Sequence, residues 1–540
     1  MTPNASPATL VQLLAWRAMV SGDRTAYSYC DDPRTFGELW SDVEGFASAL
    51  VEQGLRPGGR VVLALPNGHD FFTAFYGAQR AGGVAVPIFP GVPPGRVLEV
   101  ARLCGAVHVV VPSDTQAETL TRWRRDAGSL HISTALDRPG SAVSLPEVQA
   151  EDVAFIQYTS GSTGDPKGVQ LSHANLMTNV RQMIAGMKIT AEDRFVSWLP
   201  AYHDMGLILM TIVPFFLAAP LFLLPTSLSD TRPWLDAITR HRGTFTASPD
   251  FGYRLCLRQV AGSNRAANGH DLSSLRVALN AAEPVRLSTI DSFHETFGLD
   301  RVMVAGYGLA EATVGVSMGE PSTENRIGKR GAVSVGRPFP DITVQILDDT
   351  DRVLPPDVIG HIVVKSPANT RGYFQNSGAT DTLLASPGAV RTGDIGYLDG
   401  EGHLYILSRA KDVMIHAGRT VYPEEVEEIV NGISGVRYSA AIGIDDGRLE
   451  GEQIRVLVEI RPDAMPDEKA RKSCVVAIAR AVHDRFGFRP ARVHLVAPKT
   501  IPLTHNGKLR RGELRQQYLE GRLDGAILYP LRAERSAVPR

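Results

Sequence analysis

The segment that could most readily do chemistry is the run from Tyr158 to Gly168, which reads YTSGSTGDPKG. Its Ser and Thr hydroxyls, glycine amides and the ammonium of Lys167 can donate hydrogen bonds and positive charge to an anion, so it predicts a phosphate-binding loop. The spacing differs from G-x-x-x-x-G-K-[ST], which excludes the P-loop of common nucleotide-binding ATPases. A flexible linker is the alternative. However, the run connects a predicted strand to a predicted helix, and this placement favours a binding loop.

Five further motifs contain residues that could serve the same ligand. They are N-A-A-E-P at 280–284, G-Y-G-L-A-E-A-T at 306–313, R-T-G-D at 391–394, S-R-A-K-D at 408–412 and P-L-T-H-N-G-K at 502–508. Only 9 of the 56 Lys and Arg residues are Lys, yet Lys167, Lys411 and Lys508 all fall within the six motifs. A flexible ammonium can follow a phosphate oxygen through a reaction, so these lysines favour phosphate chemistry.

The composition is that of an ordinary globular protein. A chain of 540 residues with 44% hydrophobic and 21% charged residues predicts two to four domains and excludes a disordered or coiled-coil protein. The net charge of -2 is not that of a nucleic-acid binder. The four cysteines are far apart, and the N-terminus has no basic and apolar signal pattern. We therefore expect a cytoplasmic protein with neither a zinc cluster nor a nucleic-acid partner.

Alternating helix and strand patterns predict an α/β fold with parallel sheets covered by helices. The first half contains predicted helices at 36–53, 70–81 and 175–187, with Ser172 as a predicted N-cap, and predicted strands at 60–65, 84–88 and 153–158. The uncharged run at 205–225 is long enough to span a membrane. Pro214, Pro220 and Pro225 interrupt it, which favours a buried helix, a turn and a buried strand.

The pattern changes twice in the second half of the chain. From about residue 335, short strands at 343–347, 361–365 and 403–406 predict a β-rich subdomain. Beyond residue 411, a helix opened by Pro423 precedes a helix with apolar residues at 475, 479, 482 and 486. These elements predict a small α+β domain at the C-terminal end.

Taken in order, the six motifs resemble the signature sequences of the adenylate-forming ligases, the superfamily of acyl-CoA synthetases, luciferases and peptide-synthetase adenylation domains. The resemblance covers essentially the whole chain. It implies an N-terminal adenylation domain over 1–408, with the β-rich subdomain over about 335–408, and a hinge at 409–411 that turns about Lys411. A mobile C-terminal domain over 412–540 would carry the catalytic Lys508, and ATP and Mg²⁺ are the implied cofactors.

The resemblance also implies a role for each motif. Catalysis is assigned to Lys508, Glu311, Lys167 and Thr163, and Glu311 is also the implied metal ligand. The implied ATP- and AMP-binding residues are Thr159, Ser160, Gly161, Ser162, Gly164, Ala282, Glu283, Pro284, Gly306, Tyr307, Gly308, Asp394 and Arg409. In this set the ring of Tyr307 can stack on a purine, and Asp394 can accept hydrogen bonds from both ribose hydroxyls.

Several segments look closest to the fatty acyl-AMP ligases, which load acyl chains onto the phosphopantetheine of an acyl carrier protein. These segments lie at 198–207, 248–256, 272–284 and 418–423. The acyl pocket implied by the family comprises His203, Asp204, Met205, Gly206, Phe251 and Ala281. The resemblance therefore implies conversion of a fatty or other hydrophobic acid to acyl-AMP and pyrophosphate, followed by transfer to a carrier protein.

Three alternatives stay open. Fatty acyl-AMP ligases carry an extra segment after the motif that corresponds to G-Y-G-L-A-E-A-T at 306–313. This chain has only a short polar stretch there, at 319–331, so CoA is an alternative acceptor. An amino-acid substrate is the second, although neither Asp204 nor Asp250 is clearly placed to bind an α-amino group. A catalytically inactive nucleotide-binding regulator is the third, and the retained motif residues argue against it.

Overall fold

The computed structural model describes residues 7–159, 166–226, 230–262, 269–445, 451–461, 464–504 and 508–529. Within these ranges the protein contains five β-sheets flanked by helices, which confirms the predicted α/β fold class. The α-helices of the described part span Leu10–Ser21, Phe36–Glu52, His69–Arg80, Pro94–Leu103, Ala117–Asp126, His173–Gly186, Val213–Leu217, Arg232–His241, Asp250–Gly262, Leu287–Phe297, Ser377–Leu383, Pro423–Asn431, Glu468–Phe486 and Arg511–Leu519.

The largest sheet has nine strands, with a parallel centre and antiparallel edges. In spatial order the strands are Arg337–Pro338, Ser317–Met318, Met303–Tyr307, Val277–Asn280, Phe245–Ser248, Phe195–Ser197, Leu221–Leu223, Thr25–Tyr29 and Asp32–Thr35. Two of the predicted motifs lie where parallel strands end, at Asn280 and Tyr307. Ligands of α/β proteins commonly bind at the carboxyl ends of parallel strands, so the sheet places these motifs at a suitable edge.

A six-stranded sheet carries the predicted phosphate-binding loop. Its strands, in spatial order, are His131–Thr134, Ala106–Val111, Arg60–Leu63, Val84–Pro87, Val153–Thr159 and Lys167–Ser172. The last two are antiparallel, so the loop joins two strands of a hairpin rather than a strand and a helix as the sequence predicted. The reason is that Val169 and Leu171 are fully buried, so the chain forms one more strand before the helix His173–Gly186 begins.

A five-stranded antiparallel sheet forms the β-rich region and confirms its predicted strands. Its strands are Thr343–Leu347, Gly360–Lys365, Ala389–Leu398, Leu384–Ser386 and Leu404–Arg409. The register places Asp394 opposite Arg409 on neighbouring strands. Side chains directly opposite each other in an antiparallel pair lie close together, so the sheet itself brings the R-T-G-D motif to the S-R-A-K-D motif.

The C-terminal part has its own sheets and hydrophobic core. The hairpin Met414–His416 and Arg419–Val421 precedes a four-stranded sheet of Val436–Ile444, Gln453–Ile460, Arg492–Val496 and Ile527–Tyr529. The helix Pro423–Asn431 begins at the predicted proline, with Glu424 and Glu425 in its first turn, where negative charge suits the helix dipole. Val426 and Val430 of this helix pack into the same core as Ile478 and Val482 of the second predicted helix.

The uncharged run at 205–225 is buried, as predicted. It forms a π-helix over Met205–Ile212, the short α-helix Val213–Leu217 and the strand Leu221–Leu223. The predicted helix is thus π-helical in its first part, and π-helical turns are frequent at functional sites. Among the described residues, no helix has the length and apolar character needed to cross a membrane.

Candidate active site

A cavity of about 1860 Å³ extends between the two large sheets, the β-rich sheet and the C-terminal part. Residues from all six predicted motifs line it. The predicted site residues that line it are Thr159, Lys167, His203, Asp204, Met205, Ala281, Ala282, Glu283, Pro284, Gly306, Tyr307, Gly308, Glu311, Asp394, Arg409, Lys411 and Lys508. The fold therefore brings together motifs that are far apart in the sequence.

The structure differs from the prediction at two acyl-pocket residues, because neither lines the cavity. A Cβ on Gly206 would lie 2.2 Å from the carbonyl oxygen of Pro200, so this glycine packs against the main chain. The ring of Phe251 packs edge-on against Trp198, at 6.2 Å between centroids. Five predicted loop residues lie outside the described residues: Ser160, Gly161, Ser162, Thr163 and Gly164.

One wall of the cavity holds the predicted purine and ribose residues in a hydrogen-bonded chain. The hydroxyl of Tyr307 donates to Oδ2 of Asp394 at 2.5 Å, and Nε of Arg409 lies 2.9 Å from Oδ1. Arg409 also donates to the carbonyl of Thr392 at 3.1 Å. Burial raises the pKa of Asp394, and the charge of Arg409 opposes that rise. Each carboxylate oxygen keeps a second lone pair, so Asp394 can still accept hydrogen bonds from a sugar.

The cavity also holds the predicted metal ligand, Glu311, and the predicted phosphate lysine, Lys167. Oε1 of Glu311 accepts a hydrogen bond from the hydroxyl of Tyr373 at 2.7 Å, and Nζ of Lys167 lies 5.1 Å from the centroid of the Tyr373 ring. Among the described residues no hydrogen-bond donor contacts Oε2 of Glu311. One open carboxylate oxygen in the cavity that also contains Lys167 fits Mg²⁺, which typically takes one or two carboxylates besides phosphate oxygens.

Sequence reasoning missed Tyr373. It lies 62 positions from Glu311 and outside all six motifs, in an R-G-Y run that carries no recognisable chemistry by itself.

The turn that presents Glu311 has little conformational freedom. A Cβ on Gly308 would lie 1.6 Å from the carbonyl oxygen of Val314, so only glycine fits there. Thr313 has φ 72° and ψ −67°, and the amide of Val314 donates to the carbonyl of Ala312 at 3.0 Å. This is a γ-turn with positive φ, which is strained and rare, above all for a β-branched residue. The strain indicates that surrounding contacts fix this turn.

The N-A-A-E-P motif also contains a constrained backbone. Ala282 has φ 70°, in the left-handed region, and Glu283 accepts a hydrogen bond from the amide of Phe251. Burial raises the pKa of Glu283 to about 7, against the opposing charge of Arg254. This motif therefore supplies a rigid main-chain edge to the cavity, and its carboxyl group takes part in packing.

The acyl side of the cavity combines one polar pair with apolar walls. Nδ1 of His203 lies 2.6 Å from Oδ1 of Asp204, which also accepts from the amide of Met205 at 2.7 Å. Burial raises the pKa of Asp204, but the positive charges of His203 and Lys508 outweigh it and lower the pKa below its ordinary value. Asp204 is thus an ionised, paired carboxylate at the base of the π-helix.

Lys508 reaches the cavity from a loop of the C-terminal part. The loop is closed by two hydrogen bonds, from the amide of Thr504 to the carbonyl of Lys508 at 2.7 Å and from the amide of Lys508 to Oγ1 of Thr504 at 3.0 Å. The positive charge of Lys508 favours the ionised forms of both Asp204 and Asp394, although burial still raises the pKa of Asp394, and all three residues line the cavity.

A buried arginine anchors this loop. Arg511 follows three residues after Lys508, and its side chain is 10% exposed. It pairs with Glu427, with Glu424 at 3.4 Å and with Asp412 at 3.7 Å, and it donates to the carbonyl of Ala441 at 2.7 Å. No sequence pattern separates Arg511 from its exposed neighbour Arg510, because the two differ only in burial.

The predicted hinge residue lies at the same junction. Lys411 belongs to a short 3₁₀ turn, Ala410–Asp412, between the strand that ends at Arg409 and the C-terminal part. Burial lowers its pKa, with Asp412 opposing and Arg409 and Arg511 adding to the shift. The predicted hinge thus lies between Arg409, which pairs with Asp394, and Asp412, which pairs with Arg511.

Comparison with known families agrees with this site. The family model described as AMP-binding enzyme matches residues 14–374, and the model described as AMP-binding enzyme C-terminal domain matches residues 418–512. The chain belongs to the AMP-binding enzyme family. The match spans most of the chain, and the protein is an adenylate-forming acid ligase.

Individual relatives of this AMP-binding enzyme differ in their acceptors. It is 32% identical over 90% of both chains to a Caulobacter vibrioides protein provisionally named as an acyl-CoA synthetase. It is 31% identical over 96% of both chains to a medium-chain-fatty-acid–[acyl-carrier-protein] ligase, JamA, of Moorena producens. A structure from a study of fatty acyl-adenylate ligases from E. coli and L. pneumophila superposes with a TM-score of 0.84 at 28% identity, covering 97% of this chain and 99% of the other.

Proposed function

We propose that this AMP-binding enzyme activates a fatty or other hydrophobic carboxylic acid with ATP and transfers the acyl group from acyl-AMP to the phosphopantetheine thiol of an acyl carrier protein. The observation that carries the substrate class is that both acidic residues near the acyl side are already paired. Neither Asp204 nor Asp250 offers a free carboxylate to an α-amino group. The name of the Moorena producens relative supports the carrier-protein acceptor.

Asp250 is only 1% exposed, and it has two ion-pair contacts and two hydrogen bonds. Nε of Arg254 lies 2.8 Å away and Nε of Arg286 4.0 Å away. Nδ2 of Asn280 and the amide of Arg286 donate to its Oδ1 at 3.1 and 3.4 Å. Removing such a buried carboxylate from its partners to bind an ammonium would leave positive charges unpaired, which is costly. This arrangement favours an acid without an amino group.

The remaining wall near His203 is apolar. The side chains that line it include Met183, Met187, Leu209, Leu279 and Val314. A Cβ on Gly315 would lie 2.8 Å from Cγ of Met183, so the absence of a side chain at this position keeps the wall open. Apolar walls bind hydrocarbon at roughly 25 cal/mol for each Å² of apolar surface removed from water. They support an alkyl or aryl acid as substrate.

The cavity residues supply positioning and charge rather than a nucleophile. A carboxylate oxygen of the substrate attacks the α-phosphorus of ATP, and pyrophosphate leaves. Lys508 and Lys167 hold negative charge on the reacting and leaving phosphate oxygens, and Asp394 fixes the ribose. Mg²⁺, held by Glu311 when bound, would neutralise further phosphate charge. The resulting mixed anhydride is activated toward a thiol, and an enclosed cavity protects it from water.

CoA is the competing acceptor, because the Caulobacter vibrioides relative carries the name of an acyl-CoA synthetase. Both acceptors present the same phosphopantetheine thiol. In CoA the phosphopantetheine is attached to a nucleotide, and in the carrier protein it is attached to a protein. A competition assay with both acceptors distinguishes them.

The substrate class is tested by incubating the protein with ATP, Mg²⁺ and single acids, and detecting adenylates by mass spectrometry. We expect adenylates from dodecanoic and hexadecanoic acids and none from phenylalanine or leucine. A Lys508→Gln variant serves as the control for enzyme-dependent product. An aminoacyl-adenylate formed as fast as the fatty adenylates would overturn the proposed substrate class.

A further inference from the structure

The segment of residues 368–374 lies between the two phosphate-side groups of the cavity. On one side it follows the strand that leaves the phosphate loop. The amide of Phe374 donates to the carbonyl of Gly168 at 2.7 Å, and Oγ1 of Thr370 donates to the carbonyl of Gln170 at 2.6 Å. The amide of Gln170 donates in turn to the carbonyl of Gly372 at 3.2 Å. We call residues 368–374 the bridging segment.

On its other side the bridging segment holds the turn of Glu311 at three points. Oγ1 of Thr313 donates to the carbonyl of Ala368 at 2.6 Å, and the amide of Thr370 donates to the carbonyl of Glu311 at 2.9 Å. The hydroxyl of Tyr373 donates to Oε1 of Glu311 at 2.7 Å. Two contacts fix the main chain of the turn, and the third fixes the carboxylate itself.

We propose that Tyr373 is a positioning residue for adenylate formation, which aims the open oxygen of Glu311 at the metal site and supports Lys167 with its ring. The hydroxyl contact acts on one group and the ring contact on the other, so a single side chain sets their relative position. Contact of an ammonium with an aromatic ring is favourable within about 6 Å of the centroid. A hydrogen bond to a charged carboxylate is stronger than one between neutral groups.

The strained γ-turn at Thr313 explains why the Glu311 side chain needs a separate contact to order it. A turn in a sparsely populated conformation persists only where its surroundings over-determine it. The hydroxyl of Thr313 and the amide of Thr370 do this for the main chain, but neither restricts rotation of the Glu311 side chain. Tyr373 is the described residue that does so. Without the hydroxyl of Tyr373, the carboxylate of Glu311 would sample several rotamers. Ordering it on metal binding would then cost free energy and lower the affinity for the metal.

The inference rests on the proposed role of Glu311 as the metal-side carboxylate, and it is tested by binding rather than turnover. Calorimetry measures the affinity for α,β-methylene-ATP, which cannot be cleaved at the reacting phosphorus, with and without Mg²⁺, and the affinity for AMP. We expect Tyr373→Phe to reduce the gain in affinity that Mg²⁺ provides by about tenfold. The affinity for AMP should stay unchanged, because AMP lacks the outer phosphates.

Two further variants separate the ring from the hydroxyl. Tyr373→Leu removes the aromatic surface under Lys167, so it should weaken binding of the ATP analogue even without Mg²⁺. Tyr397→Phe is the matched control, since Tyr397 is a buried tyrosine whose hydroxyl accepts from the amide of Lys329 at 2.6 Å and whose ring lies 5.9 Å from Nζ of Lys329, outside the cavity. It should bind all three ligands like the unmodified protein.

A double-mutant cycle distinguishes the possible failures. Once Glu311→Gln is present, adding Tyr373→Phe should cause no further loss of the Mg²⁺-dependent affinity. If Glu311→Gln retains the full Mg²⁺ effect, the metal role of Glu311 is wrong and the inference falls with it. If Glu311→Gln loses that effect but Tyr373→Phe keeps it, only the inference is overturned. An equal loss of AMP affinity in Tyr373→Phe would show a general structural role and would also overturn it.

Discussion

The two lysines of the cavity are held in different ways. Lys167 lies on a strand whose neighbours are fixed by main-chain hydrogen bonds to the bridging segment. Lys508 lies on a loop anchored by Arg511, whose partners are the carboxylates of Glu424, Glu427 and Asp412. Main-chain hydrogen bonds do not depend on titration, whereas buried ion pairs do. The contrast predicts that the placement of Lys167 tolerates changes of pH, whereas the placement of Lys508 responds to them.

The largest expected effect comes from removing the charge of Lys508. Lys508→Gln should lower the rate of adenylate formation by about 100- to 1000-fold, a typical loss for one preorganised charge-stabilising group. Thioester formation from chemically prepared acyl-AMP should be nearly unchanged, because that step has no pyrophosphate leaving group. Rapid-quench assays of the two half-reactions measure both rates. Equal losses in both would break the assignment of Lys508 to the first step.

Arg511→Gln should destabilise the C-terminal side by about 3–5 kcal/mol, because the buried Glu427 and the partly buried Glu424 and Asp412 would lose their shared cation. Hydrogen exchange of the strand Val436–Ile444 in the full chain measures this loss locally. Arg510→Gln is the matched control, since Arg510 is exposed and pairs only with Glu513 among the described residues. If the two variants exchange alike, the buried network does not anchor the loop.

Two carboxyl groups have a raised pKa: Glu424 in the C-terminal part and Glu283 in the N-A-A-E-P motif. Burial raises the pKa of Glu424 to about 7 against the charge of Arg511, and burial raises that of Glu283 to about 7 against the charge of Arg254. Between the two pKa values the folded protein keeps protons that the unfolded chain has lost. The contribution of these two groups to the free energy of unfolding is therefore greatest below about pH 4.5 and is lost as pH rises through about 7. Denaturant unfolding across this range measures the slope.

Single substitutions assign that slope to its groups. Glu424→Gln and Glu283→Gln should each flatten the fall in stability, because an amide does not titrate. Local hydrogen exchange should place the Glu424 effect in the C-terminal part and the Glu283 effect near the helix Asp250–Gly262. An unchanged slope in both variants would contradict the raised pKa values.

The smallest expected effects concern helix caps, one on each side. Ser172 caps the helix His173–Gly186 and accepts from the amide of Asn175 at 3.1 Å, while Asp467 caps Glu468–Phe486 and accepts from the amide of Ala470 at 2.7 Å. Replacing either with Ala should cost about 1 kcal/mol in unfolding experiments. Ser172→Ala should cost more, because its cap is buried. A larger cost for Asp467→Ala would reverse the comparison.

Helices and strands were predicted correctly where neighbouring residues alone specify them. The strand Thr343–Leu347 and the helix that begins at Pro423 occur as predicted, and Ser172 is the N-cap that its sequence indicated. The strand Lys167–Ser172 was missed because its pairing depends on a partner across the loop. The π-helical winding of Met205–Ile212 likewise has no signal in an unbroken apolar run.

The sequence predicted those residues of the candidate site that belong to recognisable motifs. The fold places the described site residues that were predicted around one cavity, apart from Gly206 and Phe251, which do not line it. Tyr373 and Arg511 could not be found from spacing, because their partners are distant in sequence and their importance comes from burial. Resemblance supplied the proposed reacting groups, and the structure shows which side chains contact them.

The most direct test of the account offers the enzyme two acceptors at once. The protein is incubated with ATP, Mg²⁺ and dodecanoic acid, together with equal concentrations of CoA and a holo acyl carrier protein, and products are resolved by mass spectrometry. The account predicts that acyl-AMP forms, that it persists when CoA alone is present, and that the acyl group moves to the carrier protein. Formation of dodecanoyl-CoA at a comparable rate, or absence of the adenylate from this and other hydrophobic acids, would contradict it.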